Sequence, residues 1–172
     1  MVGRLTWEKA QDKLIEAARI LKDKNIDFTL FIAGIGNLED TLKKQVAEYR
    51  LEKEVIFLGF VDDVDTFMNS IDIFVFSSIS EGFGFSIVEA MLRSKPVVAF
   101  NITSTPEIVV NNESGFLVDY PDMESYANKI IELSVNKKLR MDMGKKGLII
   151  IQKRFDLKDK IIEIESFLNE NV

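Results

Sequence analysis

Short β-rich apolar runs alternate with longer helical patterns along this chain, and that alternation restricts the fold more than any other feature. The runs cover residues 28–33, 55–58, 73–76, 97–100 and 116–118. Near-continuous apolar runs of this length suit strands buried on both faces of a parallel sheet. The helical patterns between and after them cover 7–24, 38–49, 85–93, 123–135, 139–152 and 157–168. Ser104 or Thr105 before Pro106-Glu107 is a helix-start signal, with Ser104 and Glu107 at capping-box spacing. The fold class that follows is α/β: a doubly wound, Rossmann-like, mostly parallel sheet flanked by helices. Ligands are then expected beyond the carboxyl ends of the strands.

At 172 residues the chain has the length of one domain with a sizeable core. A net charge of −6 argues against a nucleic-acid partner, which calls for a basic face. The chain has no cysteine and no histidine, which excludes disulfides, thiolate chemistry, a Ser-His-Asp triad and a His-based zinc site. No signal peptide is visible and no apolar run reaches membrane-spanning length, so a cytoplasmic setting is the expectation.

Chemistry concentrates in Glu81-Gly82-Phe83-Gly84-Phe85-Ser86-Ile87-Val88-Glu89. Two carboxylates flank a glycine-rich turn that follows an apolar run and precedes a helix. A helix N-terminus in that setting offers unpaired amides and a dipole favourable to anions. The spacing alone is common, since Glu8/Glu16 and Glu124/Glu132 repeat it inside helical patterns. Only the middle pair brackets a glycine turn after a buried strand.

In that context the segment resembles the E-x7-E signature of family 4 retaining glycosyltransferases, which have the two-domain GT-B fold. Further pieces fall in family order. Gly3-Arg4-Leu5 with Lys9 is similar to the G-R-L…K segment, and Gly34-Ile35-Gly36 to the G-x-G turn. Leu58-Gly59-Phe60, Pro106-Glu107-Ile108-Val109 and Ser114-Gly115-Phe116-Leu117-Val118 resemble the remaining pieces. The resemblance implies that Arg4 and Lys9 neutralise the diphosphate of a nucleotide sugar, Arg4 as a fork and Lys9 as a point charge. It implies that Glu89 accepts hydrogen bonds from the ribose, and that Glu81 faces the donor sugar without serving as nucleophile. The backbone of Gly82, Phe83, Gly84, Phe85 and Ser86 would hold sugar hydroxyls or phosphate, with Phe83 and Phe85 partly packed in the core. The nucleobase would lie near Gly59, Phe60 and Val61. No cofactor and no metal are expected, since GT-B enzymes generally dispense with a bound cation.

Two other motifs point elsewhere. Gly34-x-Gly36 resembles a dinucleotide fingerprint, but Glu39 occupies the third glycine position and would oppose a pyrophosphate. Asp63-Val64-Asp65 matches a D-x-D metal pattern inside an acidic loop that reads as a helix start. Departures from the family are Thr103-Ser104, where many members carry Gly-Gly, and Ala10 after Lys9 in place of glycine.

The resemblance implies one donor-binding domain over residues 1–172, the C-terminal half of a larger enzyme. Its final helix, about 156–170, would pack on the N-terminal domain, through which a glycan or lipid-linked glycan acceptor would bind. The stripe of Leu157, Ile161, Ile164 and Leu168 suggests weak self-association of the isolated domain. The expected activity is transfer of a hexosyl or N-acetylhexosaminyl group, from a UDP-sugar by preference, in bacterial surface polysaccharide synthesis. The full enzyme would lie on the inner face of the membrane. A GT-B sugar-nucleotide epimerase and a non-enzymatic nucleotide-sugar-binding module are the alternatives, the first disfavoured by the lack of histidine and the second by the intact Arg4, Lys9, Glu81 and Glu89 set.

Overall fold

The computed structural model describes residues 1–154. The expectations for the final helix and its apolar stripe lie outside the described residues. Trp7–Lys9 form a single 3-10 turn, which Ala10 ends by taking the left-handed conformation, φ 46°. Helix α1 then runs over Gln11–Asp23. The single helix expected over 7–24 is therefore broken at its fourth residue, Ala10, and the break turns Lys9 out of the α1 register. Strand β1 (Leu30–Ala33), helix α2 (Glu39–Glu48), strand β2 (Val55–Gly59) and helix α3 (Val64–Ser70) follow. Next come β3 (Phe74–Phe76), α4 (Phe85–Leu92), β4 (Val97–Phe100), the one-turn helix α5 (Thr105–Ile108) and β5 (Gly115–Val118). Helices α6 (Met123–Val135) and α7 (Lys137–Arg154) close the described part. Among the described residues no helix is long and apolar enough to cross a membrane.

All strand pairs are parallel, as the apolar runs predict. The pairings fall into two ladders, β1–β2 and β3–β4–β5. Val2 adds a single parallel bridge to Ala33 on the free edge of β1. Every residue of β3 and β4 is buried, and their Phe74, Phe76 and Phe100 are among the largest fully buried side chains.

Tyr126 of α6 ties this core to the sheet. Its hydroxyl donates to the Val98 carbonyl at 2.8 Å and accepts from the Phe76 amide at 3.0 Å, with no exposure to solvent. Burial raises the phenol's pKa well above its ordinary value, so it stays a donor throughout the accessible pH range. Tyr126→Phe is expected to cost about 2 kcal/mol, because it strips a partner from two buried backbone groups at once. The thermal midpoint should fall by about 4–8 °C in a calorimetric scan.

Asp63 and Asp122 cap α3 and α6 by accepting from the Thr66 and Ser125 amides, each at 2.9 Å. The expected Ser104 cap does not form. Ser104 is itself helical, φ −82° and ψ −6°, and its buried Oγ has no partner among the described residues. The Thr105 hydroxyl instead ties the preceding loop, accepting from the Ile102 amide and donating to the Phe100 carbonyl.

Candidate functional site

The site is assembled at the carboxyl ends of β1 and β3. Beyond β1 the chain turns through Gly34 and Gly36, and the segment Gly3–Leu5 lies directly against that turn. Gly3 N–H donates to Ala33 O at 2.9 Å, Leu5 N–H to Ile35 O at 3.0 Å, and Leu38 N–H to Leu5 O at 3.1 Å. A Cβ on Gly34 would stand 1.9 Å from Gly3 O, and one on Gly36 2.3 Å from Leu5 O, so only glycine permits this approach. The Gly34-x-Gly36 motif thus seats the Arg4 segment and approaches protein backbone. At the N-terminus of α2, Glu39 pairs with Lys43 at 2.7 Å.

Beyond β3 stand Ser77 and Ser78, both fully buried. Ser77 Oγ donates to the Lys9 carbonyl at 2.7 Å, and Ile79 N–H donates to the Glu8 carbonyl at 2.8 Å. These bonds dock the 3-10 turn on the end of β3. They bring the Lys9 ammonium onto Glu81 Oε1, which also accepts from Ser78 Oγ at 3.1 Å. Both side chains of this ion pair are 16% exposed. Glu81 Oε2 keeps no partner among the described residues. The cluster therefore holds one neutralised charge pair with an acceptor oxygen left over.

Arg4 stands apart from the cluster. Its guanidinium is 77% exposed and meets Glu8 at 3.8 Å. A hydrogen bond from its own backbone amide is the largest influence holding Glu8 below the usual carboxylate range. Glu89, in the second turn of α4, makes no side-chain hydrogen bond or ion pair among the described residues, although its carbonyl accepts from Arg93 at 2.9 Å. The structure thus joins Lys9, Ser78 and Glu81 directly, and leaves Arg4 and Glu89 unbonded to them.

The turn before α4 follows the expected pattern in its backbone. Gly84 takes φ 67°, reverses the chain and leaves the amides of Phe85 and Ser86 at the head of α4, where no helical carbonyl can reach them. Gly82 is open, with nothing within 4 Å of a Cβ built on it. Phe83 packs partly on the core, but Phe85 is 73% exposed and meets Phe83 edge-on at 5.0 Å. The expectation that Phe85 is partly core is therefore corrected: it is the first residue of a short helix whose buried face is carried by Ile87, Ala90 and Met91. Val61 packs against the core beside Phe60, which is 70% exposed.

In the D-x-D pattern, Asp63 is occupied as a cap, with the Thr66 hydroxyl the largest cause of its lowered pKa. Asp65 pairs with Arg93. A cavity of about 440 Å³ lies at the opposite end of the sheets among Leu14, Leu21, Phe28, Phe31, Phe67 and Ile73. It is a largely apolar recess without the Lys9–Glu81 cluster. Ser77 and Ser78 are the residues that sequence reasoning missed; two small polar residues ending a fully buried strand were the available signal.

The family model for glycosyl transferases group 1 matches residues 1–148. The capsular polysaccharide biosynthesis glycosyltransferase CapM of Staphylococcus aureus is 31% identical over 169 residues, covering 98% of this chain and 44% of CapM. The chain thus spans less than half the length of this curated relative. Among solved structures, a variant of S. aureus TarM in complex with fondaparinux, α-GlcNAc-glycerol and UDP superposes with a TM-score of 0.89 at 29% identity, covering 98% of this chain and 34% of TarM. The C-terminal domain of a group 1 family glycosyl transferase, LpcC of Francisella tularensis, is 30% identical with a TM-score of 0.80, covering 89% of this chain and 83% of that domain.

Proposed function

The chain belongs to the group 1 glycosyltransferases, and from that premise we propose that it is the donor-holding half of a two-domain, retaining transferase. The observation that carries this reading is the Lys9–Glu81–Ser78 cluster at the carboxyl end of β3, beside the glycine turn that opens α4. A nucleotide diphosphate sugar brings concentrated negative charge, and Lys9, Arg4 and the amides of Phe85 and Ser86 are the groups that offset it. Charge building on the departing diphosphate strengthens those contacts in the transition state. Glu81 Oε2 accepts from a sugar hydroxyl, and Glu89 from the ribose. The backbone of Gly82 and Phe83 lines the sugar, and that of Val61 the base.

UDP is the favoured nucleotide, in keeping with the UDP carried by the similar TarM complex. The likeness to CapM, named for capsular polysaccharide biosynthesis, favours hexosyl or N-acetylhexosaminyl transfer to a bacterial surface glycan. The acceptor would bind through a partner domain outside this chain, at the inner face of the membrane, so this chain alone binds donor and transfers little.

Isothermal titration of the chain with UDP, GDP and their sugars tests the reading. UDP is expected to bind equally well with and without EDTA, the cations of the protein standing in for a metal. Glu89→Ala should weaken binding by about tenfold to a hundredfold, the worth of hydrogen bonds to a charged acceptor. Absence of nucleotide binding at millimolar concentration would overturn the proposal for this chain. Binding abolished by EDTA would overturn its metal-independent form.

A further inference from the structure

Helix α7 carries seven Lys or Arg residues against one acid, Asp142, in a chain whose net charge is −6. Its buried side is fixed by Met143, Gly144, Gly147 and Ile151. A Cβ on Gly144 would stand 1.9 Å from Ser94 O, so the helix lies hard against the turn after α4. That close seating presents the opposite face rigidly to solvent.

At 3.6 residues per turn, Lys138, Met141, Lys145, Lys146, Ile149 and Lys153 share an arc of roughly 140° on that face. All six are exposed, Met141 at 49% and Ile149 at 63%. The four lysines make no ion pair among the described residues, whereas the neighbouring Lys129 and Arg140 pair with Glu132 and Asp72. A shallow depression of about 380 Å³ runs beside them, between Lys137, Lys138, Met141, Asp142 and Lys145. The face thus combines unpaired cations with two bare apolar side chains in one stripe.

We propose that this face of α7 docks on an anionic lipid bilayer, with its lysines on the headgroups and Met141 and Ile149 entering the boundary of the acyl chains. Charge complementarity calls for an anionic partner, and the exposed Met141 and Ile149 favour lipid over nucleic acid, whose phosphates offer them nothing. The rest of the acidic chain is repelled from the same surface, so docking also orients the molecule. None of these residues belongs to the donor cluster, and the inference does not depend on the donor reading.

Co-sedimentation with vesicles decides it. The chain should partition onto phosphatidylcholine vesicles carrying about one third phosphatidylglycerol, and not onto phosphatidylcholine alone. Combined Lys138→Glu, Lys145→Glu and Lys146→Glu should lower partition by about tenfold or more. Met141→Ser with Ile149→Ser should lower it severalfold at constant salt. These exposed positions should leave the thermal midpoint unchanged, which separates lost docking from lost folding. Equal partition on both vesicle types, no partition on either, or full binding by the triple variant would overturn the proposal. An effect of the lysines with none from Met141 and Ile149 would overturn insertion into the acyl boundary and leave headgroup contact alone.

Discussion

Gly34→Ala is expected to lower the thermal midpoint by about 6–12 °C, the equivalent of about 3 kcal/mol or more for a domain of this size. Two costs combine. Gly34 has φ 139°, a conformation that L side chains rarely adopt, and a methyl group there would overlap the Gly3 carbonyl at 1.9 Å. The overlap involves backbone on both sides, so no rotamer change relieves it. The Gly3–Leu5 segment must move, and with it the turn that carries Lys9 onto Glu81. Nucleotide affinity should therefore fall together with stability. Gly82→Ala is the matched control, since its Cβ would meet nothing within 4 Å. Its thermal midpoint should stay within the error of a calorimetric scan, and a large loss there would show that the glycine argument misplaces the constraint.

The second large effect separates positioning from charge. Lys9→Ala removes the ammonium that faces Glu81 and leaves the carboxylate with Ser78 alone. UDP affinity should drop by about tenfold or more, since a charge-assisted contact to phosphate is lost. Glu81→Gln should act in the opposite direction. It keeps a side chain able to accept from Ser78 but no longer neutralises Lys9, so UDP without a sugar should bind about threefold to tenfold tighter. Calorimetric titration of both variants checks the pair of signs. Weakening in both would mean that the ion pair serves the fold and not the ligand.

The strands were legible because four of the five apolar runs are uninterrupted, and β3 and β4 are buried on both faces as such runs suggest. β2 is not: its Ile56 and Leu58 are exposed, because that strand lies outside the main core. The pairing of the strands into two ladders was not legible, because periodicity reports burial and says nothing of which edge meets which. The break at Ala10 was hidden for a related reason: apolar spacing from Trp7 onward continues smoothly through a residue whose backbone leaves the helix. Ser104 fails as a cap because its own backbone is already helical, a conformation that the capping spacing does not report. Thr103 beside it adopts φ 50°, unusual for a β-branched residue and suited to the glycine that the family resemblance leads one to expect there. At the site, Glu81 and Lys9 were nameable from their motifs. Their direct contact across 72 positions of sequence was not, since it depends on Ser77 and Ile79 docking the 3-10 turn.

The split between the ladders has a consequence for how binding and folding are coupled. The Arg4 segment is zipped to β1, whereas Glu81 and α4 follow β3, and β1 and β3 share no strand pairing. One core nevertheless runs under both ladders, since Met1, Ala33, Phe74 and Phe76 belong to a single buried cluster, and Ser77 and Ile79 bond the Lys9 turn to the end of β3. A nucleotide sugar that touched both sides would add its own bonds across that seam, so occupancy should raise the midpoint of one shared melting transition.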